Sequence, residues 1–271
     1  YYAMTTSLAE DFDIEYKRDD LSYIYKDFNG GPSGIFLQEN QDTKRMYYGK
    51  SYIYPLVLAP AFKLFGHHGI MVTHAILLGL MLLAATVFLE RKWGSMKALL
   101  MAMAFIIPTA ATVFYFWIAP EFFNMTLVFM GYFFLLYKFV NPKEEKEELK
   151  GWRAFLLSSW TDYLAIALLG LAAFSKISNI VLAVPLFLIL LFKKRWLPFF
   201  VGGVLIVVVI ASLFGIRFLV AGEWNYQGGV RKSFHSEFPL ANGKTFETAS
   251  QVSMETNVGE WKFPFFPVDI A

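Results

Sequence analysis

Six charged residues stand where a greasy chain has little reason to keep them. Glu121 sits in YFWIAPEFFN, between two long uncharged runs, and Lys176 sits in FSKISN, also between two such runs. Lys50 lies in MYYGKSYIYPL, with Tyr52 two residues on; Asp11 and Asp13 lie in EDFDIEY, and Arg231 in GGVRKSFHSEFPL. A lysine at a membrane surface can pair with a phosphate without entering hydrocarbon. A partly desolvated carboxylate has a raised pKa and can act as a general base. The chemistry these types suggest is a lipid-linked phosphate held by Lys50 and Lys176, with Tyr52 and Arg231 in the substrate-binding set. Glu121, Asp11 and Asp13 are then the candidate catalytic carboxylates, activating a hydroxyl. Each residue also has a plainer role: a lysine anchors a helix end at the headgroups, a glutamate suits a helix N-terminus, and aspartates shape turns.

The elements that must position these residues are membrane helices. Of 271 residues 56% are hydrophobic and 17% charged, against roughly a quarter charged in soluble domains. Charge-free runs recur at 70–89, 98–120, 122–137, 177–192 and 196–216, and 154–175 is broken only by Asp162. A span needs about 20 apolar residues, and buried backbone in lipid must pair within its own helix. The reading is an all-α, polytopic membrane protein with six transmembrane helices and extracytoplasmic loop segments. It divides into an outer loop with a short helix (1–50), an interfacial segment (51–66), a six-helix region (67–220) and an outer tail (221–271).

The loops set the orientation. Arg91, Lys92 and Lys97; Lys138, Lys143, Lys146, Lys150 and Arg153; and Lys193, Lys194 and Arg195 fall in three loops, whereas the two opposite turns hold only Lys176. The positive-inside rule puts the three basic loops in the cytoplasm. Glu121, Lys176 and both long polar segments are then extracytoplasmic, in a multi-pass protein of the plasma or bacterial inner membrane. SYIYPLVLAPAFKLFG, interrupted by Pro55, Pro60 and Lys63, is too short to span and lies in the interface, with Tyr52 and Tyr54 at headgroup depth.

Other classes drop out. No basic stripe with interleaved aromatics suggests nucleic acid, and the absence of cysteine removes thiol chemistry and zinc–thiolate sites. The adjacent His67 and His68 lack the i,i+4 spacing of a helical metal pair and read as a polar turn; no metal ligand is assigned, and a divalent metal is the one cofactor left open. His74 reads as a packing residue within a span, and NPKEEKEELKG as a solvated linker.

YYAMTTSLAEDFDIEY, GKSYIYPLVLAPAFKLFG, WIAPEFFN, GLAAFSKISNIVLAVP and GGVRKSFHSEFPL, in that order, resemble the GT-C class of integral-membrane glycosyltransferases, nearest to protein O-mannosyltransferase-like and aminoarabinose-transferase-like proteins. The resemblance runs along almost the whole chain. It implies transfer of a sugar from a polyprenyl-phosphate donor to a lipid, glycan or protein acceptor at the outer face of the bilayer. It implies that Lys50 and Lys176 attend the carrier phosphate and that Glu121 orients the acceptor or the base. It also implies that the main catalytic acid falls just before Tyr1, with the first and the later membrane helices outside this sequence. GKSYIYP stands where aminoarabinose transferases have Lys-Pro-Pro, so that particular sugar is not implied. Two other functions fit the composition: a non-catalytic scaffold subunit of the same fold, and a transporter using Asp162 and His74 within its spans.

Overall fold

The computed structural model describes residues 1–17, 20, 23–24, 26, 33–140, 151–224, 226, 231–235 and 254–255, with the backbone alone at 33–34, 231–235 and 254–255. Residues 141–150 of the linker NPKEEKEELKG and most of the tail fall outside the described residues. The chain forms two compact units, Tyr1–Thr5 with Ser51–Ile216, and Thr6–Lys50 with Arg217–Ala271.

The first unit is helical. In chain order it contains α2 (Ile53–Phe65), α3 (His68–Trp93), α4 (Ser95–Ile106), α5 (Ala110–Tyr115), α6 (Glu121–Val140), α7 (Trp152–Leu156), α8 (Trp160–Ser175), a 3-10 segment (Ile177–Leu182), α9 (Ala183–Phe192) and most of α10 (Trp196–Ala221). Helix α1 (Tyr2–Glu10) precedes them, at the place expected for a short N-terminal helix. Among the described residues α3, α6 and α10 are long and apolar enough to cross a membrane. They mark the chain as a membrane protein whose environment is a lipid bilayer. Large apolar side chains of α10, such as Leu197, Val204, Val207 and Leu219, are exposed, which is unfavourable in water and natural in lipid.

The expected six continuous spans are not what forms. The run 98–120 is divided: α4 ends at Ile106, Thr109 turns extended, its hydroxyl oxygen accepts the Ala111 amide at 3.2 Å, and α5 starts anew. Pro108 explains the division, since it has no N–H to bond the Ala104 carbonyl and its ring crowds that carbonyl. The run 177–192 begins as a 3-10 segment and becomes α-helical only at Ala183, with Pro185 in the first turn. The run 154–175 is split into α7 and the 16-residue α8.

Tight turns fix the neighbours. Gly66 closes α2 at φ 58°, its amide bonded to the Phe62 carbonyl, a conformation that favours glycine. Three residues on, a Cβ at Gly69 would fall 2.2 Å from the Ala61 carbonyl oxygen, so only glycine lets α3 start against α2. Helices α6 and α8 run antiparallel, and a Cβ at Gly131 would stand 3.2 Å from the Ala165 carbonyl oxygen. Small residues at such crossings are the usual means of bringing membrane helices close. Leu135, Ala165, Ile166, Leu169, Leu186 and Leu190 form the buried core around that crossing.

The second unit contains a structure the sequence reading did not assign, a four-stranded antiparallel sheet in the order β2-β1-β3-β4. Its strands are β1 (Ser33–Glu39), β2 (Met46–Tyr48), β3 (Arg231–His235) and β4 (Met254–Glu255). Leu37 pairs with Tyr48 and with Lys232. Asn40 makes the turn between β1 and β2: its side-chain oxygen accepts the amides of Asp42 and Thr43, each at 2.9 Å. This is the Asx turn that competes well with regular structure.

Candidate functional site

The charged residues of the helical unit sort to its two ends. At one end Asp162, in the first turn of α8, is fully buried between Lys138, 2.8 Å from Oδ1, and Arg195, 2.7 Å from Oδ2. Lys138 also donates to the Ser158 carbonyl at 2.6 Å. Glu90 lies 3.7 Å from Arg153. These contacts bring the three basic loops of the sequence together at one end of the unit. Asp162 thereby has a structural task, and so does His74: its Nδ1 donates to the Tyr115 carbonyl at 2.6 Å, which leaves Nε2 to accept the Tyr54 hydroxyl at 2.9 Å.

At the opposite end Glu121, the first residue of α6, faces Lys176, the residue that ends α8, at 3.8 Å. Pro120 precedes Glu121, and its carbonyl accepts the Asn124 amide at 2.8 Å, starting the helix. The sequence-predicted pair is therefore a real neighbourhood. Beside it lie two residues that sequence reasoning missed. Asn179 donates its side-chain amide to the Ala172 carbonyl at 3.0 Å, closing the end of α8. Asn124 is 6% exposed, and neither its side-chain nitrogen nor its oxygen has a hydrogen-bond partner among the described residues. The second carboxylate oxygen of Glu121 is likewise buried without one. The signal for Asn124 was its place three residues after Glu121, a spacing that puts both on one helix face.

All four residues line one end of a groove of about 1010 Å³ between α3, α4 and α6. The rest of its wall is mostly apolar, with Phe88, Met101, Phe105, Phe129 and Leu136 among its residues. From Asn124 to Leu136 the groove follows α6 for about 18 Å, at 1.5 Å per residue. Met101 and Phe105 on its rim are exposed, so it opens on the face that meets lipid.

The remaining candidates are in other surroundings. The Tyr52 hydroxyl donates to the Leu213 carbonyl at 3.1 Å and its ring meets Phe174 edge-on, so it braces the helical unit. In the second unit the Lys50 ammonium lies 4.5 Å from the centre of the Phe36 ring. Arg231 lies in β3, and its side chain is outside the described residues. Lys17 lies 3.2 Å from Asp11 and 2.6 Å from Asp13, and the other oxygen of Asp13 accepts the Ser7 hydroxyl and the Glu15 amide. Both aspartates thus shape a turn, as their plainer role required. Among the described residues no cluster of His, Cys, Asp and Glu could hold a metal ion.

Asp20 is the acid of this segment that the sequence reading passed over. It is fully buried; its Oδ2 accepts the Tyr48 hydroxyl at 2.6 Å and the Lys17 amide at 3.0 Å. Burial pushes its carboxyl up to about 6 despite the Tyr48 hydrogen bond. Burial, and then the Asp20 charge, push the Tyr48 phenol well above its ordinary range. The signal in YKRDDLSY was a pair of aspartates amid aromatics, but nothing in the spacing said which would be buried.

No model of a known protein family, no curated protein and no solved structure matches this chain.

Proposed function

We propose that the protein is a membrane glycosyltransferase that moves a sugar from a polyprenyl-phosphate donor to an acceptor hydroxyl at the outer face of the bilayer. The observation that carries this reading is the groove, apolar for most of its length, with Glu121, Asn124, Lys176 and Asn179 grouped among its lining residues. That division matches a lipid with one long chain and one polar head. A stretch of about 18 Å is comparable to one leaflet of a hydrocarbon core of about 30 Å, long enough for the first units of a prenyl chain. The basic loops gathered at the far end agree with an orientation that puts the polar head outside.

In this reading Lys176 pairs with the donor phosphate and a carboxylate takes the acceptor's proton. The acceptor oxygen attacks the anomeric carbon, the bond from that carbon to the phosphate oxygen breaks, and polyprenyl phosphate leaves with the electron pair. Configuration at the anomeric carbon inverts. Glu121 is the carboxylate at the groove. Lys50, Tyr52 and Arg231 remain proposed substrate contacts, and the six crossings remain part of the proposal. The 3-10 segment with α9 measures about 27 Å by the rises of the two helix types, close to a bilayer core.

The partners of His74 and Asp162 weigh against a transporter, because both of its intramembrane groups are already engaged. The engagement of Asp11 and Asp13 in a turn is the observation that favours the scaffold subunit. Sugar transfer from a polyprenyl-phosphate donor by the purified protein in its full native length decides between them. Transfer that falls at least tenfold in Lys176→Ala supports the enzyme. No transfer from any such donor, with the protein folded, supports the scaffold.

A further inference from the structure

The polar end of the groove has unmet hydrogen-bonding needs of a particular kind. Asn124 offers two donors and an acceptor, and Glu121 offers a buried acceptor oxygen, none of them paired among the described residues. Lys176 is the cation at this end of the groove, 3.8 Å from the other oxygen of Glu121. A buried polar group without a partner is costly, and Met125, Val128 and Phe129 of the same helix line the groove with Asn124. A bare lipid phosphate answers these needs poorly. It brings acceptors almost alone, and as a monoester it carries more negative charge beside the carboxylate of Glu121 than the donor's phosphodiester does. A head with several hydroxyls supplies what both residues lack: donors for Glu121 and for the Asn124 oxygen, and acceptors for the Asn124 amide.

We propose that Asn124, with the buried oxygen of Glu121, is a specificity site that makes the groove select a lipid with a hydroxylated sugar head over the same lipid carrying phosphate alone. This rests on the lipid-linked donor reading and extends it, because the product of transfer is the lipid that the site disfavours. Departure of the sugar would then weaken the hold on the carrier and favour its release.

The test is equilibrium binding to the full chain in lipid nanodiscs, with geranylgeranyl phosphoryl glucose, geranylgeranyl phosphate and geranylgeraniol as probes. The expected order places the glucosyl lipid about tenfold or more below geranylgeranyl phosphate in Kd, the size of one or two good hydrogen bonds. Asn124→Leu keeps the side chain's size and should bring the two phospholipids within about twofold, while thermal stability stays equal or rises. Asn124→Gln should restore part of the preference. Equal affinity of the unaltered protein for the two phospholipids overturns the proposal, as does a preference that survives in Asn124→Leu. If that variant fails to fold, Asn124 has a structural task and the specificity role is overturned. Selection without sugar transfer would sink the transferase reading and leave this site standing; transfer without selection would do the reverse.

Discussion

At Asp20 a carboxyl has been taken out of water, and one phenol and one amide return only part of its solvation. Its acidity moves from an ordinary 3.8 to about 6. Between those values the folded protein keeps a proton that the unfolded chain has released, so the contribution of Asp20 to stability is fullest below about pH 4 and falls as pH rises through about 6. Asp20→Asn stays neutral throughout and should flatten that fall, which thermal unfolding across the same pH window would read. At Asp162 the logic is opposite, because the charge is matched by two cations. Removing it as Asp162→Ala leaves the Lys138 ammonium buried, at a cost of about 3–5 kcal/mol. The double change Asp162→Leu, Lys138→Met should recover much of that loss in detergent unfolding.

At the scale of elements, glycine decides which helices can touch. Gly69→Ala places a Cβ against backbone at the α2–α3 turn, where no side chain can move aside; a loss of about 3 kcal/mol is expected, at the upper end for overpacking. Gly131→Ala meets a looser 3.2 Å approach and should cost about 1 kcal/mol. These contacts were illegible in the sequence, which marks a glycine but not what comes near it. The apolar runs were legible because composition alone excludes water, and Glu121 with Lys176 because charges flanked by such runs stand out. The breaks were harder: Pro108 and Pro185 were visible, yet a proline kinks one membrane helix and ends another. The sheet escaped because its strands β1 and β3 are almost 200 residues apart and pair through backbone, leaving little pattern in either. Asn124 escaped since an asparagine in a span is ordinary until its partners are counted.

For the whole molecule, the gathering of three basic loops at one end of the helical unit gives a direct test of sidedness. The sequence has no cysteine, so single cysteines report without background. Ser95 and Ser178 are exposed and lie at opposite ends of that unit, Ser95 beside Glu90 and Ser178 two residues beyond Lys176. In intact cells a maleimide that cannot cross membranes should label Ser178→Cys and spare Ser95→Cys until the membrane is opened. Labelling of both from outside would remove the bilayer from the description.

The pair α6 and α8 is tied at both ends, by Glu121 with Lys176 and by Lys138 with Asp162. A slip of either helix by one turn, about 5.4 Å, would part both ties at once, so this wall behaves as a fixed rail and not as a piston. Whatever the neighbouring trough admits, the room for it has to come from the shorter, proline-ended helix across from the rail.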